Sequence, residues 1–358
     1  MPITTVSSRG SGAPLTVIPP LSREQVIRAV ERKNPERIPL VFAKWWGEGL
    51  ADQYGDRLQA FDRYPEDVAW IWTENPVNPG VMDLSWSWQS GHAHDTNFVI
   101  DDWAKLDEFI AKLPKPESDP VFSTFVEVAE RAHKEGRYLM FAFWNLFFEK
   151  PWGLRGMQNL LIDFYAEPDN INRLYSAMCD TYCAWFKKAV EVFKPDGFWG
   201  SDDLGHQTGP MMSPEIFHDM IFPYYKRIGS TLRKSGMHFW LHSCGDNTPL
   251  LPDLIESGLT VFHPVQKHTM DEKKVAAEFG GALTFLAGID VQHTLQEKDP
   301  AGVREEVRFL IDTFDRNDGG LCLAAGNGIV RGTPFENIDA FLDEAVGYGE
   351  MHRRKMGK

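Results

Sequence analysis

The sequence predicts a single α/β domain with the architecture of a (β/α)8 TIM-type barrel. Short apolar runs flanked by Gly or Pro alternate along the 358-residue chain with segments of helical periodicity. Strands that alternate with helices form parallel sheets with right-handed crossovers. Eight such runs occur in one uninterrupted alternation, and neither an internal repeat nor a change of composition divides them. This number favours a closed barrel over an open sheet.

The elements follow an N-terminal stretch rich in Ser, Gly and Pro, which we interpret as a flexible arm over residues 1–20. The barrel is then predicted over residues 21–358. Ser22 is the expected N-cap of the first helix, and Gln25 completes a capping box. A long amphipathic helix is predicted over residues 168–193. The eight strands are predicted at residues 37–43, 81–88, 138–144, 196–203, 237–244, 260–265, 283–290 and 321–328, with the weakest pattern at 81–88.

Composition limits the classes of function. The chain carries 37 basic and 51 acidic residues, a formal charge of −14, which argues against a nucleic-acid partner. It contains no apolar run long enough to span a membrane. The N-terminus lacks the charged-then-apolar order of a secretory signal. We therefore expect a cytoplasmic protein whose four cysteines are reduced.

Polar residues concentrate at one end of the predicted strands. The runs finish in "SDDLGHQTG", "HSCGD", "HPVQ", "GIDVQ" and "CLAAGNG". In (β/α)8 barrels the chemistry collects at the C-terminal ends of the strands, where the βα loops begin. The sequence therefore predicts an active site at this end, the barrel mouth.

A metal site is predicted at this mouth. His242 and Cys244 are two residues apart, so on an extended strand their side chains point the same way. Cys322 lies on the last predicted strand. One nitrogen and two thiolates leave a tetrahedral metal with one open position, as in catalytic zinc sites. The alternative is that the two cysteines are small buried packing residues and His242 a satisfied core histidine.

Further candidates surround this pair. Asp202 and Asp203 are expected to orient His242 or to supply a fourth ligand, unless Asp202 caps a helix. His206 is a candidate proton donor, with a solvated loop histidine as the alternative. The candidates for substrate binding share positions at strand ends or in aromatic loops: Gln207, Gln266, Asp290, Asn327, Trp46 and Trp144, together with Trp45, Trp86, Trp88 and Trp152 as lining of the mouth. Cys179 and Cys183, one helical turn apart, are expected to be packing residues.

From about residue 21 to 350 the chain resembles the uroporphyrinogen decarboxylase-like superfamily. The matching segments include "GSDDLGHQTGPMMSPEIFHDMIFPYYKRI", "HSCGDNTPLLPDLIESGLTVFHPVQ" and "AAGNGIVRGTPFENIDAFLDEA". Within that group it is similar to the corrinoid-linked methyltransferases, including methylcobalamin:coenzyme M methyltransferases and O-demethylase components. The resemblance implies Zn²⁺ on His242, Cys244 and Cys322. It also implies methyl transfer between a corrinoid protein and a small thiol or methoxylated substrate.

The decarboxylases themselves carry two signatures that this chain lacks: an Asp-containing one, unless Asp83 stands in for it, and an arginine-rich one. They carry an arginine-rich segment after the first strand, where this chain has "AKWWGEGLADQYG" and no arginine before Arg57. Acidic tetrapyrrole arms need such arginines. A metal-independent decarboxylase and a non-catalytic barrel with a structural zinc are the alternatives to the methyltransferase.

The resemblance also implies a partner, because the chain lacks the D-x-H-x-x-G pattern of cobalt-ligating modules. We expect a separate corrinoid protein to supply methylcobalamin. It would dock transiently, with micromolar affinity, on a face formed by residues near 45–50, 86–92, 145–155 and 203–210. This docking requires a mouth that "KWWGEG" does not close.

Overall fold

A computed structural model describes residues 17–78 and 98–357. Its main sheet has seven strands, all parallel and ordered in space as in sequence. Parallel neighbours in chain order are typical of TIM-like folds. The strands are β1 (Val68–Trp72), β2 (Tyr138–Phe143), β3 (Gly197–Ser201), β4 (His238–His242), β5 (Val261–His263), β6 (Thr284–Ile289) and β7 (Leu321–Ala325).

Helices connect the strands and cover the sheet. Those before β3 are α1 (Arg23–Val30), α2 (Leu50–Tyr54), α3 (Leu106–Ala111), α4 (Val121–Thr124), α5 (Val126–Lys134), α6 (Glu149–Arg155), α7 (Met157–Ala166) and α8 (Pro168–Val192). Those after it are α9 (Pro214–Ile216), α10 (Phe222–Lys234), α11 (Leu251–Ser257), α12 (Glu272–Phe279), α13 (Thr294–Glu297), α14 (Pro300–Phe314) and α15 (Phe335–Lys355). Among the helices that the structure describes, none combines the length and the apolar character needed to cross a bilayer.

The first predicted strand, residues 37–43, is reduced to a single bridge. Leu40 pairs in parallel with Leu323 of β7, and its carbonyl accepts a hydrogen bond of 2.9 Å from the amide of Asp67, just before β1. Pro39 has no N–H to donate, and Phe42 has a left-handed φ of 61°. The segment therefore touches both edges of the sheet without forming a strand, and the closed eight-stranded barrel stays a prediction.

The second predicted strand, residues 81–88, lies outside the described residues and stays a prediction. A strand that was not predicted, β1, occupies "VAWIW" at Val68–Trp72. The signal was present, because this short apolar run lies between Pro65 and Pro76. The other six predicted strands coincide with β2 to β7, with ends that differ by up to three residues.

Side chains of the strands alternate between two apolar clusters. Leu139, Phe141 and Phe143 of β2 point outward against the helices, whereas Tyr138 and Met140 point into the interior of the curled sheet. This period of two is the geometry of an extended strand. All six residues of β2 are buried, because helices cover one face and the opposite side of the sheet covers the other.

Helix α1 packs against the N-terminal ends of the strands. Ser22 is its N-cap, and its side chain accepts a hydrogen bond from the Gln25 amide, which confirms the predicted helix start. The Gln25 side chain instead accepts a bond from the amide of Glu36, so only half of the capping box forms. Val26 and Val30 of α1 belong to the interior cluster. Helix α1 therefore covers the interior of the curled sheet at the end opposite the mouth.

A buried carboxylate ties the N-terminal segment to this end of the sheet. Asp67 accepts hydrogen bonds of 2.7 Å from the amides of Leu21 and Leu40 and from both terminal nitrogens of Arg37. Arg37 also donates to the carbonyl of Pro19. Residues 19–20 of the predicted flexible arm are thus held on the fold. Residues 1–16 of that arm lie outside the described part of the chain.

Replacing Asp67 with Ala is expected to lower the free energy of unfolding by about 3–5 kcal/mol, because the Arg37 guanidinium then stays buried without its partner. Chemical denaturation monitored by circular dichroism measures the loss. Asp62→Ala, at an exposed neighbouring carboxylate, is the matched control and should change little. Equal stability of the two variants would contradict the central role of Asp67.

Candidate metal and active site

The site is built on the "HSCGD" segment, which leaves the C-terminal end of β4. His242 is the last residue of the strand, and Gly245 turns the chain with a left-handed φ of 82°. A Cβ at Gly245 would lie 2.2 Å from the carbonyl carbon of Gly205. Only glycine permits both this dihedral angle and this approach. The turn therefore packs directly on the loop that follows β3.

Side-chain hydrogen bonds fix the backbone of this segment. The Asn247 amide donates to the carbonyls of Ser243, Cys244 and Gly245 at 3.0–3.1 Å. The Gln266 carbonyl oxygen accepts from the Gly245 amide at 2.6 Å. These bonds satisfy backbone groups that helix or sheet pairing would otherwise use. The position of Cys244 is thus set before any ligand binds.

Three groups that could hold a metal ion converge at this turn. The Cys244 thiol lies 3.4 Å from Nε2 of His242, and Oδ1 of Asp203 lies 3.6 Å from the same nitrogen. Asp203 also accepts a hydrogen bond of 2.8 Å from the Cys244 amide. The ligand atoms of all three residues lie within 4.8 Å of one another. This spacing suits a single small cation.

A second histidine determines which nitrogen of His242 faces the site. Nε2 of His263 lies 3.0 Å from the carbonyl oxygen of Ala325, and a carbonyl can only accept, so Nε2 carries the proton. Burial lowers the pKa of His263 well below its ordinary value, so its Nδ1 is a bare acceptor. Nδ1 of His242, at 2.7 Å, must then donate. The lone pair of His242 is left on Nε2, facing Cys244 and Asp203.

Burial moves the pKa of each group in this set toward its neutral form. It lowers the pKa of His242 to about 3, so the imidazole is an unprotonated ligand at neutral pH. It raises the pKa of the Cys244 thiol and of the Asp203 carboxyl. A bound cation would offset this cost, because it stabilises the thiolate and the carboxylate. One imidazole, one thiol and one carboxylate with an open fourth position fit zinc.

The structure does not bring Cys322 to this set. Cys322 is the second residue of β7 and pairs with Leu286, so it lies near the start of the strand rather than at its C-terminal end. It is fully buried in the interior cluster with residues of α1. Burial raises the pKa of its thiol, and Asp67 adds to the effect. Asp203 is the third donor in its place.

Asp202 has the capping role that was its alternative. Its buried carboxylate accepts hydrogen bonds from the amides of Phe147, Phe148 and Glu149 and from the Tyr225 hydroxyl, all at 2.7–2.9 Å. It therefore holds the loop that enters α6. The expectation that its carboxylate orients His242 is wrong, because all of its side-chain bonds are made to this loop and to Tyr225.

Sequence reasoning missed two residues of the site, His263 and Glu149. Glu149 accepts a hydrogen bond of 2.9 Å from the Ser201 hydroxyl. Burial, with Asp203 and Asp202 next in effect, raises the pKa of Glu149 to about 8. Its carboxyl is therefore neutral at pH 7. The signal for His263 was its position in "HPVQ" at the end of a predicted strand, whereas Glu149 lies six residues beyond β2.

The other predicted substrate contacts divide into two groups. Asn327 donates to the Cys244 sulfur at 3.6 Å and, like Gln266, lies directly beside the site. Asp290 instead accepts bonds from the amides of Gln292, His293 and Thr294, so it caps α13. His206 and Gln207 are exposed on the loop after β3, which favours the solvated alternative for His206.

Aromatic side chains cover the mouth beside His242. The Trp45 ring centroid lies 5.7 Å from that of His242 and 5.5 Å from that of Trp144. Trp144 lies 6.2 Å from His242. Trp46 packs away from the site against Phe61, so its predicted role in substrate binding is not supported. Trp86 and Trp88 lie outside the described residues.

The opening at the metal-binding groups is small. A cleft of about 40 Å³ reaches Cys244 between Gln266, Asp290 and Asn327. Trp45, from the "KWWGEG" segment, covers the adjacent imidazole. Residues 86–92 of the predicted docking face lie outside the described residues, so docking of a corrinoid protein at this mouth stays a prediction.

Comparison with known proteins identifies the family. Residues 57–348 match the family model "Uroporphyrinogen decarboxylase (URO-D)". The chain belongs to the URO-D family. This membership confirms the resemblance found in the sequence.

Two curated relatives and one solved structure each match most of the chain. The uroporphyrinogen decarboxylase of Delftia acidovorans is 22% identical over 94% of this chain and 99% of its own length. That of Methylibium petroleiphilum is 21% identical over 97% of this chain and 100% of its own length. A methyltransferase from Methanosarcina mazei superposes with a TM-score of 0.66 at 14% identity, covering 90% of this chain and 97% of that one. At this identity the superposition establishes a shared fold.

His263→Leu is expected to weaken zinc binding by about 10- to 100-fold, because His242 loses the acceptor that keeps its lone pair on Nε2. Competition with a chromophoric chelator measures the affinity. His263→Gln can still accept from His242 and donate to Ala325, so it should bind more tightly than the Leu variant. Equal zinc affinity of wild type and His263→Leu would rule out this role.

The raised pKa of Glu149 predicts that the free energy of unfolding of the metal-free protein depends on pH. The carboxyl ionises near its ordinary pKa in the unfolded chain but only near pH 8 in the fold. The folded state therefore binds the extra proton, and the free energy of unfolding falls as pH rises through about 8. Urea unfolding with chelator at about pH 6 and about pH 9 should show a smaller fall for Glu149→Gln. The exposed Glu127→Gln variant should keep the wild-type fall, and an unchanged fall in Glu149→Gln would contradict the assignment.

Proposed function

We propose that the protein is a zinc-dependent methyltransferase that moves a methyl group between a corrinoid protein and a small thiol or methoxylated substrate. The convergence of Asp203, His242 and Cys244 within 4.8 Å carries this proposal. Membership of the URO-D family and the fold shared with a methyltransferase are consistent with it.

The three residues would hold zinc through Nε2 of His242, Sγ of Cys244 and a carboxylate oxygen of Asp203. When bound there, zinc supplies a Lewis acid that lowers the pKa of an incoming thiol or polarises an ether oxygen. Three protein donors leave one position open for that group. The Asn327 amide, 3.6 Å from the Cys244 sulfur, stabilises the charge on the thiolate. Gln266 keeps the turn that carries Cys244 in place.

Glu149 is the group proposed to handle the proton. Burial raises the pKa of its carboxyl to about 8 in the metal-free protein. A neutral carboxylic acid can donate a proton to an oxygen leaving group, and in its ionised form it can accept the proton of a thiol. The Ser201 hydroxyl, 2.9 Å away, fixes its orientation. Either direction of methyl transfer is therefore compatible with these side chains.

A decarboxylase of a carboxylated tetrapyrrole is the second candidate, because the curated relatives carry that name over nearly their whole length. One observation weighs against it. Among the described residues no Lys or Arg forms an ion pair with Asp203 or Glu149. A tetrapyrrole with acidic arms needs basic partners.

A corrin could reach the proposed zinc site only if the segment that covers His242 moves. Trp45 lies against His242, and its carbonyl accepts a hydrogen bond of 2.8 Å from the Ile329 amide. Methyl transfer from a corrin therefore requires displacement of the segment around Trp45. The predicted docking face includes residues 45–50, so contact of the partner with this segment would couple docking to opening.

Metal content tests the donor set. Cys244→Ala and Asp203→Ala are expected to lose zinc, because each removes one of three protein ligands, whereas Cys322→Ala should retain one zinc per chain. Elemental analysis of the purified variants measures the content, with circular dichroism to verify folding. Loss of zinc in a folded Cys322→Ala protein, with retention in Asp203→Ala, would restore the set of His242, Cys244 and Cys322.

Turnover tests the reaction class. Methylcobalamin should lose its methyl group to one member of a panel of thiols, or methoxyarenes should lose theirs to reduced cobalamin, and only when zinc is bound. Cobalamin absorbance reports the reaction, and Cys244→Ala is the inactive control. Release of CO₂ from uroporphyrinogen by the chelated enzyme would favour the decarboxylase. Full-rate methyl transfer between two small molecules without any corrinoid would contradict the corrinoid partner.

A further inference from the structure

A second, larger cleft adjoins the mouth on the side of β1 and β2. Its volume is about 720 Å³, within the usual range of sites that bind small molecules. Its lining includes Trp72 at the end of β1, Trp144 directly after β2, Trp185 of α8, and the carboxylates of Glu74 and Asp119. We call it the Trp144 cleft. None of its lining residues is a proposed metal ligand.

Two indole rings form a flat apolar wall of the Trp144 cleft. The ring centroids of Trp72 and Trp144 lie 5.3 Å apart, and the ring planes differ by 17°. Trp144 remains 37% exposed, although it also packs against Trp45 and Trp199. This wall suits any ligand with a flat apolar face, so the polar lining decides the class of ligand.

Two carboxylates of the cleft lack a cationic partner. Glu74 accepts a hydrogen bond of 2.9 Å from the Asn78 side-chain amide through Oε2, and Asp119 accepts one of 2.9 Å from the Val121 amide through Oδ1. Within the described part of the chain neither carboxylate forms a salt bridge, and no described residue that lines the cleft is Lys, Arg or His. An ionised carboxylate only accepts hydrogen bonds. Each therefore has an oxygen open to a donor.

Trp185 supplies an unused donor to the same cleft. Its side chain is 1% exposed, and its indole N–H donates to none of the residues that the structure describes. The unpaired N–H of Trp199 is fully covered by protein, whereas Trp185 borders the cleft. Leaving a buried N–H without an acceptor costs free energy. An acceptor atom of a ligand at this place would remove that cost.

The lining distinguishes three classes of ligand. An organic cation would stack on the indoles, but it would leave the Trp185 N–H unpaired. The buried Lys150 ammonium also lies close enough to Glu74 for their charges to interact, which weakens the attraction of a cation. An anion would face two carboxylates. A compound with several hydroxyl groups matches every group, because a hydroxyl both donates and accepts.

We propose that the Trp144 cleft binds a neutral polyhydroxy compound, a sugar ring or a cyclic polyol, whose C–H face stacks on Trp144. The hydrogens of such a ring carry a small positive charge, which the negative face of an indole attracts. Hydroxyl groups donate to Glu74 and Asp119, and a hydroxyl oxygen accepts from Trp185. The ring of Trp144 lies 6.2 Å from that of His242, so the ligand would lie beside the mouth. The site does not depend on the proposed methyl transfer.

Ligand binding to the full-length protein tests the class. Saturation-transfer NMR and titration of tryptophan fluorescence compare three polyols: methyl glucopyranoside, methyl galactopyranoside and myo-inositol. Cyclohexanol has a similar ring with one hydroxyl, choline is cationic and glucuronate is anionic. The protein is kept metal-free with chelator, so that zinc does not contribute. At least one polyol should bind saturably and about tenfold more tightly than the three comparison compounds, because only the polyols satisfy all the polar groups.

Variants test the polar groups of the cleft. Glu74→Gln and Asp119→Asn keep an acceptor oxygen for their internal hydrogen bonds but lose the negative charge. Each should weaken polyol binding by about 3- to 10-fold, since a charge-assisted hydrogen bond becomes a neutral one. Glu130→Gln, at an exposed carboxylate of α5 outside the cleft, is the matched control and should bind as wild type. Circular dichroism verifies that each variant is folded.

Trp185→Phe keeps an aromatic ring but has no N–H, so it should also bind the polyol several-fold more weakly. Three results would overturn the proposal: no saturable binding of any polyol, tighter binding of choline than of every polyol, or unchanged polyol binding in both Glu74→Gln and Asp119→Asn. Polyol binding by a protein that transfers no methyl group would count against the proposed function alone.

Discussion

The site depends on the carbonyl oxygen of Ala325. This oxygen fixes the proton on Nε2 of His263, and His263 in turn fixes the proton on Nδ1 of His242. The lone pair that faces Cys244 is therefore determined at the end of β7, three strands away from His242 in the order of the sheet. The four adjacent strands β4 to β7 must keep their register for Nε2 of His242 to face the site. A parallel sheet with short strands meets this requirement, since its carboxyl ends meet at one edge.

Much of the fold followed from the sequence because each signal was local. Six predicted strands and the long helix appear where Gly and Pro bound apolar runs. The failures have separate causes. The segment at Leu40 reads as a strand in composition, but Pro39 and the left-handed Phe42 stop the ladder after one bridge. The run at Val68–Trp72 has the composition of a strand but was not predicted as one.

The site was harder to predict because function depends on position along a strand. Cys322 precedes Gly326 by four residues, which on an extended chain is about 13 Å, so it faces helix α1 rather than the mouth. Asp202 and Asp203 are neighbours whose side chains diverge, and composition does not tell which one faces His242. Glu149 lies at the site because the Asp202 carboxylate accepts a hydrogen bond from its amide and so fixes the loop after β2. This bond joins distant parts of the chain.

The segment around Leu40 also covers the two edges of the sheet. It touches the outer edges of both β1 and β7, the two strands that end the sheet. Asp67 keeps it there by binding Arg37 and the amides of Leu21 and Leu40. Without residues 18–42, two rows of unpaired amides and carbonyls would face solvent and could template pairing with another molecule. The N-terminal segment thus covers both edge strands of the sheet. Proteolysis within it would expose their unpaired backbone groups to other molecules.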